Sequence, residues 1–319
     1  MSAARIAVVG AGLAGLACAG ALQEAGHDVT VLERERIPGG RCASLPTPIG
    51  PCDHGLPELA AATPGFAAPL QAWAGAGMLA PAPSGPGRWL GVPSMQAFAA
   101  RLAAGLKVVP GLEVAALERD GAQWWLRTHQ APPRGLELHY DAVAVAMPPE
   151  QALPLLGVAP ALAEPLRAVR SEPCWSVVAA WPMPLPLRGD ALAGNGAEDV
   201  LGSARRDART RQGSRWVLHA SAYWSANNLD VRPIDVVQRL LDAFGRAIGV
   251  RLARPSHAQA HLWRQARVAQ PLAEPCGWDA GLRLGACGDA WCGTHGADGA
   301  ERAWTSGRAL AGHIAESLT

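Results

Sequence analysis

The first thirty-odd residues limit this chain more than any other part of it. Ile6-Ala7-Val8-Val9 is a short apolar run of the kind that forms a buried strand. Three glycines follow at G-x-G-x-x-G spacing (Gly10, Gly12, Gly15), and then small residues suited to a helix reaching about Ala25. In a strand–turn–helix of this kind the first glycine permits the tight turn. The second lets a pyrophosphate approach the backbone, and the third brings helix and strand into close contact. The free N–H groups and partial positive charge of the helix N-terminus then favour an anion. A second strand, Val29-Thr30-Val31-Leu32, ends in Glu33, 23 residues after Gly10. That is near the roughly 20-residue offset of the acid that holds ribose hydroxyls in dinucleotide sites. A cleaved leader or a ligand-free packing helix would also explain the apolar run from Ile6 to Leu22. Neither explains the glycine spacing together with the strand that ends in an acid.

Composition narrows the possibilities further. The 319 residues suffice for two domains. A net charge of +1 gives no field to gather nucleic acid or anionic lipid. No 18-residue stretch is free of glycine or polar interruption, so a membrane span is not expected. Lys107 is the only lysine, which leaves little scope for Schiff-base chemistry. The seven cysteines are an odd, scattered set without C-x-x-C, as in reduced cytoplasmic proteins. Cys52-Asp53-His54 and Cys292-Gly293-Thr294-His295 are not paired by any metal-ligand spacing, so no metal site is expected.

Beyond Glu33 the chain divides by pattern. Pro38-Gly39-Gly40-Arg41 forms a turn, and the Pro/Gly/Ala-rich residues 43–93 read as loop and short helix. Ser94 is placed to cap a helix from about Met95 to Ala104. Strands are expected at Lys107–Pro110, Leu112–Leu117, Gln123–Thr128, from near Leu136, and at Asp141–Met147, with Asp120-Gly121 as a hairpin turn. Further strands are expected at Trp175–Trp181, Val200–Ser203, Arg215–Ser221 and Ala258–Arg267. Val236, Val237, Leu240, Leu241 and Phe244 make one apolar stripe on a helix from Asp235 to Ile248. The last 40 residues contain Gly281–Asp289, a strand ending in Gly288-Asp289, and then a terminal helix from Ala300 to Ser317. The pattern predicts an α/β chain. A Rossmann-like dinucleotide domain would be built from residues 1–70, 94–155 and 268–319. A second domain, built from 71–93 and 156–267, would have a mixed or antiparallel sheet.

Gly-Gly-Arg shortly after a ribose-binding acid resembles the flavin amine oxidase and renalase group. Other stretches resemble the renalase family more closely: Arg88-Trp-Leu-Gly-Val-Pro-Ser-Met95, Trp216 to Ser225, Trp263-Arg-Gln-Ala266, and the Gly288-Asp-Ala-Trp-Cys-Gly293 segment. The resemblance implies the p-hydroxybenzoate-hydroxylase-like two-domain fold and non-covalent FAD. It also implies oxidation of a small hydride donor, the 2- and 6-dihydro isomers of NAD(P), with O2 as electron acceptor. The cofactor-contacting set it implies begins with Gly10, Gly12, Leu13, Ala14, Gly15, Glu33 and Arg34. Gly39, Gly40 and Arg41 follow beside the pyrophosphate and flavin, with Val114 at the adenine. Gly288 and Asp289 would lie at the ribityl chain, and Gly299 and Ala300 at the helix N-terminus facing reduced flavin. Candidates for the wall over the flavin are Trp216, Trp224, Trp263, Trp291 and His219. His54, His219, His261 and His295 are expected to be mainly structural, because hydride transfer depends on alignment more than on a proton shuttle. A cytoplasmic monomer is expected.

Three segments depart from the family pattern: Leu56-Pro-Glu-Leu-Ala60 after Asp53-His54-Gly55, Gln265 where tyrosine is common, and the arginine-rich loop Arg205–Arg211. All are expected on the substrate side. A flavin amine oxidase or dehydrogenase, a non-catalytic FAD-binding protein and a plain NAD-dependent dehydrogenase remain alternatives.

Overall fold

The computed structural model describes residues 3–48, 50–187, 189–196, 198–210, 213–293 and 297–318. Its organising element is a six-stranded sheet. From one edge to the other it runs Gly277–Asp279, Leu284–Ala286, Ala142–Val145, Arg5–Val9, Asp28–Glu33 and Lys107–Pro110. The last five strands are parallel, and the first pairs antiparallel with its neighbour. The N-terminal strand therefore lies beside both the strand that ends in Glu33 and the strand at 142–145, while the strand leading to Asp289 joins next to them. Both faces of this sheet are covered, as the unbroken apolar runs at 6–9 and 142–145 require.

One face carries the helix Leu13–Glu24 and, packed on it, the terminal helix Gly299–Ser317. Their approach is close because Gly307 has no side chain: a Cβ there would lie 2.2 Å from the Ala14 carbonyl oxygen. The helix Pro64–Gly75 packs against the terminal helix, and Glu301 accepts hydrogen bonds from the N–H groups of Ala62 and Thr63 at its start. Residues 43–93 thus hold a full twelve-residue helix rather than loop and short helix alone, with Pro69 inside it. The buried Met78 and Leu79, expected with the second domain, join the core of the first sheet, and Trp73 packs edge-on against Phe98 and Trp304. Pro69 in the interior, where proline usually breaks a helix, hides this helix in the sequence. The helix Met95–Ala103 starts at Ser94, whose hydroxyl accepts from the Ala97 N–H.

The other face carries a three-stranded meander, Val114–Asp120, Gln123–Thr128 and His139–Tyr140, and the short helices Pro149–Leu156 and Pro160–Arg167. A second sheet of five antiparallel strands runs Ala191–Ala193, Leu201–Arg206, Ser214–Ala220, Ser171–Trp181 and His257–Val268. Its two faces differ sharply. Trp175, Val177, Ala179, Trp181, Trp216 and Leu218 bury themselves with the helix Pro233–Ala247 in a separate apolar core. The opposite face carries Cys174, Ser176, Val178, Val217 and His219. Val178 and Val217 pack on Cys52. The polar face of the second sheet therefore meets the Cys52–His54 segment of the first domain.

Candidate functional site

The glycine turn connects the strand Arg5–Val9 to the helix Leu13–Glu24. Gly10 has φ +105°, and a Cβ on it would sit 2.5 Å from the Ala146 carbonyl oxygen. A Cβ on Gly15 would sit 1.9 Å from the Gly10 oxygen, so helix and turn meet at a distance only glycine permits. Gly12 differs from both: nothing lies within 4 Å of its Cβ position. The helix it precedes has no side-chain cap, which leaves the first-turn N–H groups of Leu13 and Ala14 facing that open side. Glu33 ends its strand at the same turn. Its carboxylate accepts from the N–H of Ala11 at 2.6 Å and of Glu35 at 2.8 Å, and it is 8% exposed. Arg34 points outward and pairs with Glu35 and Glu113. Val114 opens the meander and is buried in the second core of the first domain.

Gly39 and Gly40 pass beside this turn. The Gly39 N–H donates to the Ala11 carbonyl, and a Cβ on Gly40 would be 3.4 Å from Gly12 Cα. Arg41 follows at once and reaches across the fold. Its Nη1 and Nη2 donate to Asp289 Oδ2 and Oδ1 at 2.7 and 2.6 Å, and Nη1 also donates to the Ala266 carbonyl at 3.1 Å. Two residues expected to act separately on a cofactor are therefore bonded to each other. Burial raises the Asp289 carboxyl, but the charge and hydrogen bonds of Arg41 outweigh it and hold the group below the usual carboxylate range.

The terminal helix begins beside this pair. Gly299 lies next to Asp289 Oδ2, and Asp298 caps the helix by accepting from the N–H groups of Ala300 and Glu301. The Ala300 N–H is thus already bonded, and what the helix end offers a ligand is its dipole. Arg302, which no sequence signal marked, is 9% exposed and donates to the carbonyls of Asp289, Ala297 and Val268. It fixes the turn that presents Asp289 and ties it to the last residue of the strand His257–Val268.

The second sheet contributes rings and neutral donors. Gly55 packs against Arg41, where a Cβ would lie 2.3 Å from the Arg41 carbonyl, and the Leu56 N–H donates to that same oxygen. The His54 carbonyl accepts from His219 Nε2 and Trp263 Nε1, each at 3.1 Å. A carbonyl can only accept, so Nε2 of His219 carries the proton. The His54 ring stacks on Trp263 at 4.9 Å, and His261 stands edge-on to His54 at 4.7 Å and to Trp263 at 4.6 Å. Burial, with His261 and His219 nearby, pushes His54 down to about 3; burial also lowers His219 and His261. The cluster is uncharged at neutral pH.

Of the expected wall residues, only Trp263 and His219 belong to this junction. Trp216 is 1% exposed and packs on Phe244 in the second domain's core, which also holds Trp224. Trp291 lies in the core beneath the first sheet. In the strand Ser214–Ala220, alternation already places Trp216 and His219 on opposite faces. His295 and Arg211 lie outside the described residues.

The arginine-rich loop forms a clasp. Arg209 bonds Asp53 at 2.7 Å and Asp207 at 2.8 Å; Arg215 bonds Asp207 at 2.6 Å; Arg205 and Arg88 bond Glu58 at 2.8 and 3.3 Å. Asp53 and Glu58 of the first domain thus meet Arg209 and Arg205 of the second, and Asp207 pairs with Arg209 and Arg215 within the second domain itself. Burial raises Asp207, but hydrogen bonds and charge from Arg209, with Arg215, bring it below the ordinary range. Its folded value is depressed, so its stabilisation is complete above the unfolded value of about 3.9 and is lost as pH falls through the folded one. Urea unfolding is expected to show stability declining in acid below about pH 5, with a shallower decline in Asp207→Asn.

Known proteins share parts of this arrangement. A family model described as an NAD(P)-binding Rossmann-like domain matches residues 8–65. Over 51 residues the chain is 51% identical to a hydroxyneurosporene desaturase of Cereibacter sphaeroides, a match covering 16% of this chain and 10% of the desaturase. The corresponding desaturase of Rhodobacter capsulatus is 48% identical over 50 residues, again a tenth of its length. Among solved structures, a protein from Exiguobacterium assigned as a protoporphyrinogen oxidase superposes with a TM-score of 0.78 at 13% identity, covering 99% of both chains. A putrescine oxidase bound to putrescine gives 0.75 at 13% identity, covering 98% of this chain and 99% of that one. A cyclohexylamine oxidase from Brevibacterium oxydans gives 0.69 at 15% identity, covering 99% and 100%. At these identities the likeness is one of fold: a Rossmann-like dinucleotide domain joined to an antiparallel-sheet domain, in the two-domain arrangement of the amine oxidases.

Proposed function

We propose that this chain is an FAD-dependent oxidoreductase of the renalase type. It takes a hydride from a small planar donor of the dihydronicotinamide class, a 2- or 6-dihydro form of NAD(P), and passes the electrons to O2. FAD, held non-covalently, supplies the two-electron chemistry. The protein's part is to bind and align. The open side of Gly12 and the uncapped helix behind it suit a pyrophosphate, and Glu33 suits a ribose. The Arg41–Asp289 pair and the end of the helix Gly299–Ser317 stand at the far end of the same cradle.

The observation that carries the choice of donor is the uncharged ring cluster of His54, His219, His261 and Trp263 against Arg41. An alkylammonium substrate anchored by an ion pair needs a free carboxylate, and the acids nearby are engaged. Asp289 is held by Arg41 and Asp53 by Arg209, while Glu150 accepts from the N–H and hydroxyl of Ser171. Lys107 lies on the outermost strand of the first sheet. A neutral aromatic surface suits a neutral planar donor.

Purified protein is expected to be yellow, and anaerobic mixing with 6-dihydro-NAD is expected to bleach the flavin band rapidly. Colourless protein would indicate a plain NAD-binding dehydrogenase. Yellow protein that small amines bleach and dihydropyridines do not would favour the amine-oxidase reading, which the fold likeness supports. Yellow protein that neither bleaches would point to non-catalytic FAD binding. No described helix is long and apolar enough to cross a membrane.

A further inference from the structure

His261 stands out within the ring cluster. His219 is committed through Nε2, Trp263 through Nε1, and the His54 backbone serves both. The His261 ring nitrogens make no hydrogen bond among the described residues, and His54 Nδ1 is likewise without a partner there but is buried out of reach, so His261 is the ring left to meet a ligand. The ring is nonetheless held firmly, edge-on to two neighbours that are themselves pinned, on a strand whose partner residue Ser176 also pairs with His219. It is half-buried, on the face of the second sheet that meets the first domain. A neutral imidazole carries one N–H and one lone pair, and at a half-buried ring both are open to a ligand.

We propose that His261 is the residue that contacts the hydride donor, hydrogen-bonding an uncharged polar group such as a ring carboxamide. This rests on the proposed function above. The match is one of kind: a primary carboxamide offers a carbonyl acceptor and N–H donors, and a neutral imidazole answers either. Charge agrees as well. A neutral dihydropyridine that gives up a hydride, its C–H bond breaking with both electrons leaving, becomes a cation. A protonated imidazole beside it would oppose that change. Burial keeps His261 uncharged, so the contact persists from donor to product. His54, stacked on Trp263, would act only as a positioning residue, by holding the two rings against which His261 stands.

The test measures anaerobic flavin bleaching in wild type, His261→Phe and His261→Gln. Two donors are compared: 6-dihydro-NAD, and the same dinucleotide with a nitrile replacing the carboxamide. With 6-dihydro-NAD, His261→Phe is expected to raise the half-saturating concentration about five- to tenfold, as loss of one hydrogen bond does. His261→Gln, which keeps a neutral donor and acceptor, is expected within about twofold of wild type. With the nitrile donor, which has no N–H and only a weak linear acceptor, the difference between His261→Phe and wild type is expected to shrink to within about twofold. Flavin content and dithionite reduction report whether each variant is intact. A His261→Phe protein that holds flavin and saturates like wild type would overturn the proposal, as would an equal loss with both donors. Wild-type protein that is yellow but bleached by neither donor would instead overturn the donor reading itself.

Discussion

Replacing Arg41 with alanine is expected to cost about 3–5 kcal/mol of stability at neutral pH and to yield protein without flavin colour. The cost follows from what the substitution leaves behind. Asp289 has a side chain 3% exposed, with both oxygens bonded to the Arg41 guanidinium. Arg302 bonds the main-chain oxygen of Asp289 and makes no hydrogen bond to its carboxylate among the described residues. Without Arg41 the buried carboxylate loses its hydrogen-bonded counter-charge and keeps only the weaker influence of Arg302 and a backbone N–H, so burial, its largest influence, raises its folded value towards or above the unfolded one near 3.9. The penalty is therefore absent where the group is protonated in both states and grows as pH rises through and above about 4. Urea unfolding of Arg41→Ala at pH 4 and pH 7 should show the larger deficit at pH 7. The double variant Arg41→Ala with Asp289→Ala should recover part of it, because removing both partners leaves no stranded charge. Equal deficits at the two pH values would show that the pair contributes through packing and not through charge.

The second large effect is expected at Gly307. Valine there would drive a Cβ to 2.2 Å from the Ala14 oxygen and 3.0 Å from its carbonyl carbon. Both atoms are backbone, so neither can swing aside, and the two helices must part. Overpacking of this kind costs about 3 kcal/mol. The damage reaches the glycine turn, since Ala14 lies in the first turn of the helix behind Gly12. Gly307→Val is thus expected to lower the thermal midpoint by several degrees and to weaken FAD retention together. Gly312, five residues along the same helix, has nothing within 4 Å of its Cβ position and is exposed. Gly312→Ala should stabilise by about 0.5–1 kcal/mol through the unfolded state and helix propensity. If both substitutions moved the midpoint the same way, the closeness of the helices would not be what Gly307 provides.

The parts of the molecule legible in its sequence are those where local chemistry dictates local geometry. Gly10, Gly12, Gly15 and Glu33 declare a strand, a turn and a second strand because few residues tolerate those positions. Ser94 marks a helix start, Asp120-Gly121 a hairpin, and Val236 to Phe244 an apolar stripe, each by a rule acting over a few residues. What escaped depends on partners distant along the chain. Nothing near Arg302 indicates that it will hold the Asp289 turn. Nothing near Arg209 indicates that its charge will be met by Asp53, 156 positions earlier. The ring chemistry of Trp216, Trp224 and Trp291 makes them candidates for a cofactor wall, yet it suits a core equally well, and core is where they lie. The face of the strand decides, and for Trp216 that face was available from alternation with His219. The helix Pro64–Gly75 is hidden by Pro69 inside it, and the segment just ahead of it is held by Glu301, 238 positions beyond Thr63.

The joining of Arg41 to Asp289, and of the helix Leu13–Glu24 to the helix Gly299–Ser317, has a consequence for biosynthesis. A nascent polypeptide leaves the ribosome N-terminus first, so the opening βαβ unit emerges long before its packing partner. Until then the small-residue surface around Ala14, Ala17 and Cys18 has nothing to cover it, and the guanidinium at residue 41 has no anion. The dinucleotide pocket thus matures only once the helix Gly299–Ser317 has been translated, long after the glycine turn itself.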